Sequence, residues 1–320
     1  STIAGFTALS AYLILCMPTI TEAGLTAFAG SFSASGLFVS IIVGMLSAAI
    51  LLPFLRHKFV KDDGVIPTYI ANWFNTLLPV AGIVILATLI TEYFGINLFE
   101  FLATILAPIL TLGQSYIGFL LCYFVMIFLF AFGVNAWAVA AVVVPIWNMG
   151  IQANIDAVAA GGSAAAINTT EVIFNGWLNI GGLGCTLPLV IFALISKSRR
   201  LKQVGRAVAV PALFNINEPT IYGLPIAWNP LLMIPFIING VIAPTIVYFS
   251  LHYGLCNIPS QLYQMSFLPT GINAYFVSND FRGILLWIVV FAVTTLVYYP
   301  FWKAYEKQEL EQEKKESQAL

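Results

Sequence analysis

Phe214-Asn215-Ile216-Asn217-Glu218-Pro219-Thr220-Ile221-Tyr222-Gly223-Leu224-Pro225 interrupts a long apolar region, and Glu218 is the only charged residue between Ala207 and Asn279. An ionised acid at the centre of a bilayer costs roughly 2.5–3.5 kcal/mol on insertion scales, so a lone acid in such a stretch is a functional candidate by default. Asn215 and Asn217 offer amide donors and acceptors beside it, and Pro219 restricts the backbone of the residue before it. The set suits a polyhydroxylated ligand or a proton relay. An acid in a cytoplasmic loop with no ligand is the alternative. Pro211, Asn215, Asn217, Pro219, Gly223 and Pro225 would break or kink a spanning helix. Residues 207–224 are therefore expected to enter the membrane region without crossing it, a state tolerated only where the backbone is buried in protein or lines a watery cavity.

The composition around this stretch excludes most classes. Of 320 residues, 60% are hydrophobic and 8% charged, and the formal net charge is −1. Soluble domains carry about 25% charged residues, and a nucleic-acid binder would show basic stripes. With a mean hydropathy of +0.93, an all-α integral membrane protein remains. At about 20 residues per span, this length allows up to about ten crossings. Apolar runs lie near residues 2–18, 36–55, 76–94, 115–134, 136–152, 172–195, 230–250 and 283–302; the fifth is short and interrupted by Pro145. Residues 97–113 have mixed polarity and could lie along the interface. Basic residues cluster at 56–61, 197–206 and 303–315. The positive-inside rule puts all three clusters in the cytoplasm, and the parity between the last two requires that 207–224 not cross.

A second interrupted segment lies upstream. Residues 179–188 read Asn-Ile-Gly-Gly-Leu-Gly-Cys-Thr-Leu-Pro. Three glycines in four positions permit left-handed backbone and close approach to a ligand, or simply close helix packing. A pair of interrupted apolar segments is the sequence mark of a transporter binding site.

Other positions carry weaker signals. Asn135 ends a long span, where it faces a cavity or caps a helix. Glu171 is expected to be an acid favourable to a helix N-terminus. Glu22, Glu92, Glu100 and Asp280 are read as interfacial, and the seven tryptophans mostly as an aromatic belt. Four scattered cysteines and two histidines give no metal-ligand spacing, so no metal or other cofactor is expected. The chain opens inside an apolar run without Met, which suggests a longer protein; the polar tail 306–320 reads as a solvated helix or disorder.

The 214–225 stretch, with Asn229-Pro230 and Ile234-Pro235-Phe236-Ile237 beyond it, closely resembles the signature of one family. This is the membrane IIC component of lactose/cellobiose/diacetylchitobiose-type phosphotransferase-system (PTS) permeases. Gly181-Gly182-Leu183-Gly184-Cys185-Thr186-Leu187 resembles its Gly-Gly-x-Gly-x-Thr-Leu element, and Gly64-Val65-Ile66-Pro67 with Leu78-Pro79 its early amphipathic region. The resemblance implies a multi-span helical transporter with two re-entrant hairpins and interfacial amphipathic helices, here lacking its N-terminal helices. It implies residues 1–113 as a dimerisation region, 114–302 as the transport domain and 303–320 as a cytoplasmic tail.

It further implies a homodimer in the bacterial plasma membrane that imports a disaccharide while a IIB subunit bearing a phosphocysteine phosphorylates it. Glu218 matches the proposed general base at the sugar 6-hydroxyl. Asn135, Gly181, Gly182, Thr186 and Asn217 join it as expected sugar-binding residues. Two departures stand out. Asn135 occupies a position where the family usually has His, and Asn carries no charge. Cys256-Asn257-Ile258-Pro259 replaces a Pro-Trp-x-x-Pro-type run. A secondary transporter of the same fold without phosphoryl transfer, and a sugar receptor without flux, are the alternative readings.

Overall fold

The structure, a computed structural model, describes residues 2–16, 36–56, 59–60, 67–96, 101, 104–105, 108, 111–265, 268–269 and 271–319. The Gly/Ser-rich stretch before residue 36, Glu22, most of the charged loop 56–63 and most of 97–113, Glu100 included, lie outside the described residues. The chain divides into two compact units, Ser1–Ile109 and Leu110–Leu320. Every regular element among the described residues is helical.

In the first unit, α1 (Thr2–Leu15), α2 (Gly36–Arg56) and α3 (Thr68–Thr88, continuing as a π-turn through Tyr93) pack pairwise. Tyr12, Leu15, Val39, Val43, Leu51, Ile83 and Ala87 form their shared core. Met45, Leu46, Leu78 and Ile85 point outward. Helices that are apolar on both faces suit a lipid surround, where an outward Leu carries no cost.

The second unit contains α4 (Tyr116–Ala131), α5 (Trp137–Ala159), a π-helical segment (Glu171–Gly176), α6 (Leu187–Ile195), α7 (Arg199–Leu213), the short α8 (Glu218–Gly223), α9 (Pro230–His252), α10 (Ile272–Ser278) and α11 (Phe281–Ala319). Among the described residues, Ile70–Tyr93, Pro230–His252 and Phe281–Gln318 are long and apolar enough to cross a membrane. By contrast, α6 has nine residues. At 1.5 Å per residue it reaches about 14 Å, well short of the roughly 30 Å hydrocarbon core. It turns back at Ser196 and packs along α7 as a helical hairpin.

Several local expectations change. Pro145 does not interrupt its helix: α5 runs unbroken over 23 residues. Ala140, Val143, Trp147, Ile151 and Asn154 form one buried stripe along it, and that packing outweighs the backbone hydrogen bond a proline removes. Trp147, Trp177 and Trp302 are core residues rather than belt residues. The Trp177 indole N–H donates to the Gly283 carbonyl at 2.8 Å, which satisfies its polar edge inside the protein. Glu171 does open a helical segment, the π-helical Glu171–Gly176, and is fully buried there.

The polar tail is ordered helix with a task. Glu306 accepts from the Ser196 hydroxyl at 2.7 Å and the Lys197 N–H at 3.0 Å. Glu313 accepts from the Ser198 hydroxyl at 2.7 Å and the Arg200 N–H at 2.9 Å, and Glu309 pairs with Arg200 at 3.3 Å. Orphan donors at the start of α7 are thus capped by carboxylates from α11, favourable for the helix dipole as well. The Arg200 N–H and the Ser198 hydroxyl hold the Glu313 carboxyl below its ordinary range. A folded-state value below the unfolded one gives stability that is present above the unfolded carboxylate pKa and lost as pH falls through the folded one. Thermal unfolding followed at pH 7 and at pH 4 should therefore lose less stability on acidification in Glu313→Gln than in the wild type; parallel profiles would show that the carboxylate contributes nothing here.

Candidate functional site

The Gly-rich turn that leads into α6 and the Asn-x-Asn-Glu corner that follows α7 meet at the open end of the α6–α7 hairpin, opposite its bend at Ser196. Gly181, Gly182 and Gly184 all have positive φ, a conformation that glycine adopts without steric cost. Space makes the same demand. A Cβ on Gly182 would fall on the Asn217 side chain, and one on Gly184 on the Phe236 ring. The Thr186 hydroxyl donates to the Gly181 carbonyl at 2.7 Å and closes the turn. Two tyrosines then grip Gly184. The Tyr123 hydroxyl accepts from its N–H at 2.9 Å while donating to the Leu178 carbonyl at 2.7 Å. The Tyr298 hydroxyl donates to the Gly184 carbonyl at 2.7 Å.

The corner is tied to the turn by its asparagines. Asn217 Nδ2 donates to the Leu183 carbonyl at 2.6 Å. Asn215, itself at φ 62°, accepts from the Gly181 N–H at 3.4 Å and donates to the Leu268 carbonyl at 3.0 Å. Asparagine is among the few side chains enriched in left-handed backbone. These bonds present Glu218, half-buried at the first position of α8, to a cavity of about 480 Å³.

The cavity walls are amide-rich. Asn148, Asn175, Asn179, Asn215, Asn217 and Gln264 line it with Thr170 and Glu218, and among the described residues Glu218 is the only ionisable group in its lining. One wall is aromatic: Trp137 lies parallel to Phe174 with ring centroids 5.2 Å apart, and Trp147 meets the other ring edge-on at 5.4 Å. Phe174 and Asn175 sit on the π-helical segment, a distortion that often marks functional sites. Asn175 is 2% exposed and its Oδ1 has no partner in the protein, which leaves an acceptor for a ligand hydroxyl.

The expected site residues fall in three places. Glu218 and Asn217 line the cavity. Gly181, Gly182 and Thr186 build the turn behind it. Asn135 Oδ1 accepts from the Trp137 N–H at 2.9 Å at the start of α5, immediately before the lining residues Ala136 and Trp137. Sequence reading missed Asn148, Asn175, Asn179 and Gln264. Asn175 and Asn179 were detectable as amides four apart within an apolar run; Gln264 carried no such signal. Among the described residues no group of His, Cys, Asp and Glu could hold a metal ion.

Neutral amides, one carboxylate and an aromatic face are the chemistry that recognises a sugar: hydroxyls pair with the amides, and the apolar face of a pyranose stacks on a ring. Comparison with known proteins adds the family. The chain is 34% identical over 288 residues to the lichenan permease IIC component of Bacillus subtilis, a match covering 87% of this chain and 63% of the relative. It is 32% identical to the cellobiose-specific EIIC component of the PTS of Geobacillus stearothermophilus, over 87% of this chain and 64% of the relative. The crystal structure of the transporter ChbC, the IIC component from the N,N'-diacetylchitobiose-specific phosphotransferase system, superposes with a TM-score of 0.84 at 30% identity, covering 97% of this chain and 76% of that one. The chain thus spans somewhat under two thirds of the length of these curated relatives. Residues 1–240 match the model of the family described as phosphotransferase system, EIIC, and the chain belongs to that family.

Proposed function

We propose that this chain binds a disaccharide of the diacetylchitobiose, cellobiose or lactose type and carries it across the bacterial plasma membrane while a phosphorylated IIB subunit phosphorylates it. One observation carries the reading: among the described residues, Glu218 is the only ionisable group lining a cavity of amides and aromatic rings. In this reading the Glu218 carboxylate takes the proton of the sugar 6-hydroxyl as that oxygen attacks phosphorus. The oxygen–phosphorus bond forms, the sulfur–phosphorus bond of the IIB phosphocysteine breaks, and the thiolate leaves. The phosphorylated sugar is charged and cannot return through the membrane.

The two hairpin tips are proposed as re-entrant, facing the sugar from the membrane interior. Gly181, Gly182 and Thr186 shape the tip, Asn217 contacts sugar, and Asn135 belongs to the rim. The second unit moves by alternating access, in a homodimer with a cytoplasmic C-terminus. A second reading, translocation without phosphoryl transfer, is favoured by the absence of any cation among the cavity's described lining residues.

Calorimetric titration of the three sugars tests the binding claim. Saturable binding of one of them is expected, and Trp137→Ala should weaken it by about fivefold or more if the ring face is used, since stacking on an aromatic ring is worth about 1–3 kcal/mol. Absence of binding to all three would sink the substrate class. Adding phosphorylated IIB separates the two transport readings: sugar phosphate forms only under the first.

A further inference from the structure

One acid beside the cavity has no part in the reading above. Glu171 opens the π-helical segment and is fully buried. Its two oxygens have different surroundings. Oε1 accepts from the Tyr263 backbone N–H at 3.3 Å, whereas Oε2 is buried with no partner. The bond joins segments 92 residues apart, and each side of it lies one residue from the cavity: Thr170 precedes Glu171, and Gln264 follows Tyr263.

The irregular stretch that carries Gln264 needs such a tie. Residues 257–265 form no helix, so their backbone groups lack the ladder that fixes α9 or α11. Asn154 Nδ2 donates to the Pro259 carbonyl at 2.8 Å, four residues before Tyr263. The Tyr263 side chain is held by its hydroxyl, which donates to Asn273 Oδ1 at 3.3 Å, and by stacking on Phe276. Neither contact fixes the peptide that leads into Gln264; the Glu171 carboxyl does.

We propose that Glu171 is a positioning residue that holds Gln264 against the bound sugar, and that it acts as a hydrogen-bond acceptor rather than as a charge. Among the described residues no cation faces the carboxyl, which has only the Tyr263 N–H, its own N–H and the Thr169 hydroxyl beside it, so a full negative charge would be poorly compensated in the interior, while a neutral acceptor suffices for the Tyr263 N–H. The inference rests on the sugar reading of the cavity.

The test combines hydrogen exchange of the peptide containing the Tyr263 amide, in ligand-free protein, with titration of diacetylchitobiose, cellobiose and lactose. Glu171→Gln keeps an acceptor, so protection should persist and Kd should stay within about threefold. Glu171→Leu removes it; protection should fall and Kd weaken about five- to tenfold, the scale of one hydrogen bond. Gln264→Ala should weaken binding equally with protection intact, and the double variant Glu171→Leu/Gln264→Ala should be no weaker than either single one. The proposal is overturned by unchanged protection in Glu171→Leu, by Glu171→Gln behaving like Glu171→Leu, or by multiplicative losses in the double variant. If Glu171→Leu is not recovered folded, Gln264→Ala decides alone, and wild-type affinity there overturns it. Wild-type protein that binds none of the sugars counts against the sugar reading itself; loss of coupling with sugar binding intact counts only against Glu171.

Discussion

Glu218→Gln is expected to slow sugar phosphorylation by about 10²- to 10⁴-fold, the usual contribution of a positioned general base. Glutamine matches the carboxylate in size and still accepts from a hydroxyl, but it cannot take the proton. No described lining residue can substitute, because the remaining polar groups of the cavity are amides and one threonine hydroxyl. Affinity should change far less, by about tenfold at most, since only the charge-assisted part of one hydrogen bond is lost. Initial rates of sugar phosphate formation in membranes, with phosphorylated IIB supplied, measure the first effect, and calorimetry the second. Stability should be unaffected. A rate close to wild type would remove Glu218 from the chemistry, whatever the sugar.

The largest structural effect is expected at Gly182. Its φ of +109° strains any L-residue, at about 1–2 kcal/mol. The added Cβ also collides with Asn217 Cβ and Cγ, and overpacking of this kind costs a further 1–3 kcal/mol or so. Gly182→Ala should therefore lower stability by about 2–5 kcal/mol and displace Asn217 from the Leu183 carbonyl, with sugar binding lost alongside. The two causes can be separated. Asn217→Gly removes the side chain the new methyl would strike, so Gly182→Ala should cost less stability in the Asn217→Gly background than in the wild type. An equal cost in both would mean that backbone strain is the whole effect. A Gly182→Ala protein with wild-type melting and binding would show that the turn is not packed as described.

How much of this could be read beforehand depended on whether a signal lay within a few residues. Glu218, Asn215 and Asn217 stood out because polar residues in an apolar stretch are costly, and the glycines because only they tolerate the turn. Sequence also showed why 207–224 could not be a simple span. It did not show that Asn217 and Gly182 touch, since that contact is made between segments 35 residues apart, across a hairpin whose bend is held from a third element. Pro145 was misleading for the opposite reason: its local preference is real, but the buried stripe around Trp147 prevails. The tryptophans failed similarly, because composition cannot distinguish Trp177, whose N–H finds Gly283, from a ring at the membrane interface. Glu171 looked like an ordinary helix-end acid until the fold brought Tyr263 to it.

The grip of α11 on the α6–α7 hairpin has a mechanical consequence. Tyr298 holds Gly184 at the Gly-rich turn, and Glu306 and Glu313 hold the bend at Ser196 and Arg200. Tyr298 and Glu313 are 15 residues apart on one continuous helix, about 22 Å. A lever pinned at both ends to the same rod cannot pivot on it. Any displacement of the hairpin must therefore move rod and lever as a single piece, and a chain cut after Trp302 would leave the lever free to swing about its remaining pin.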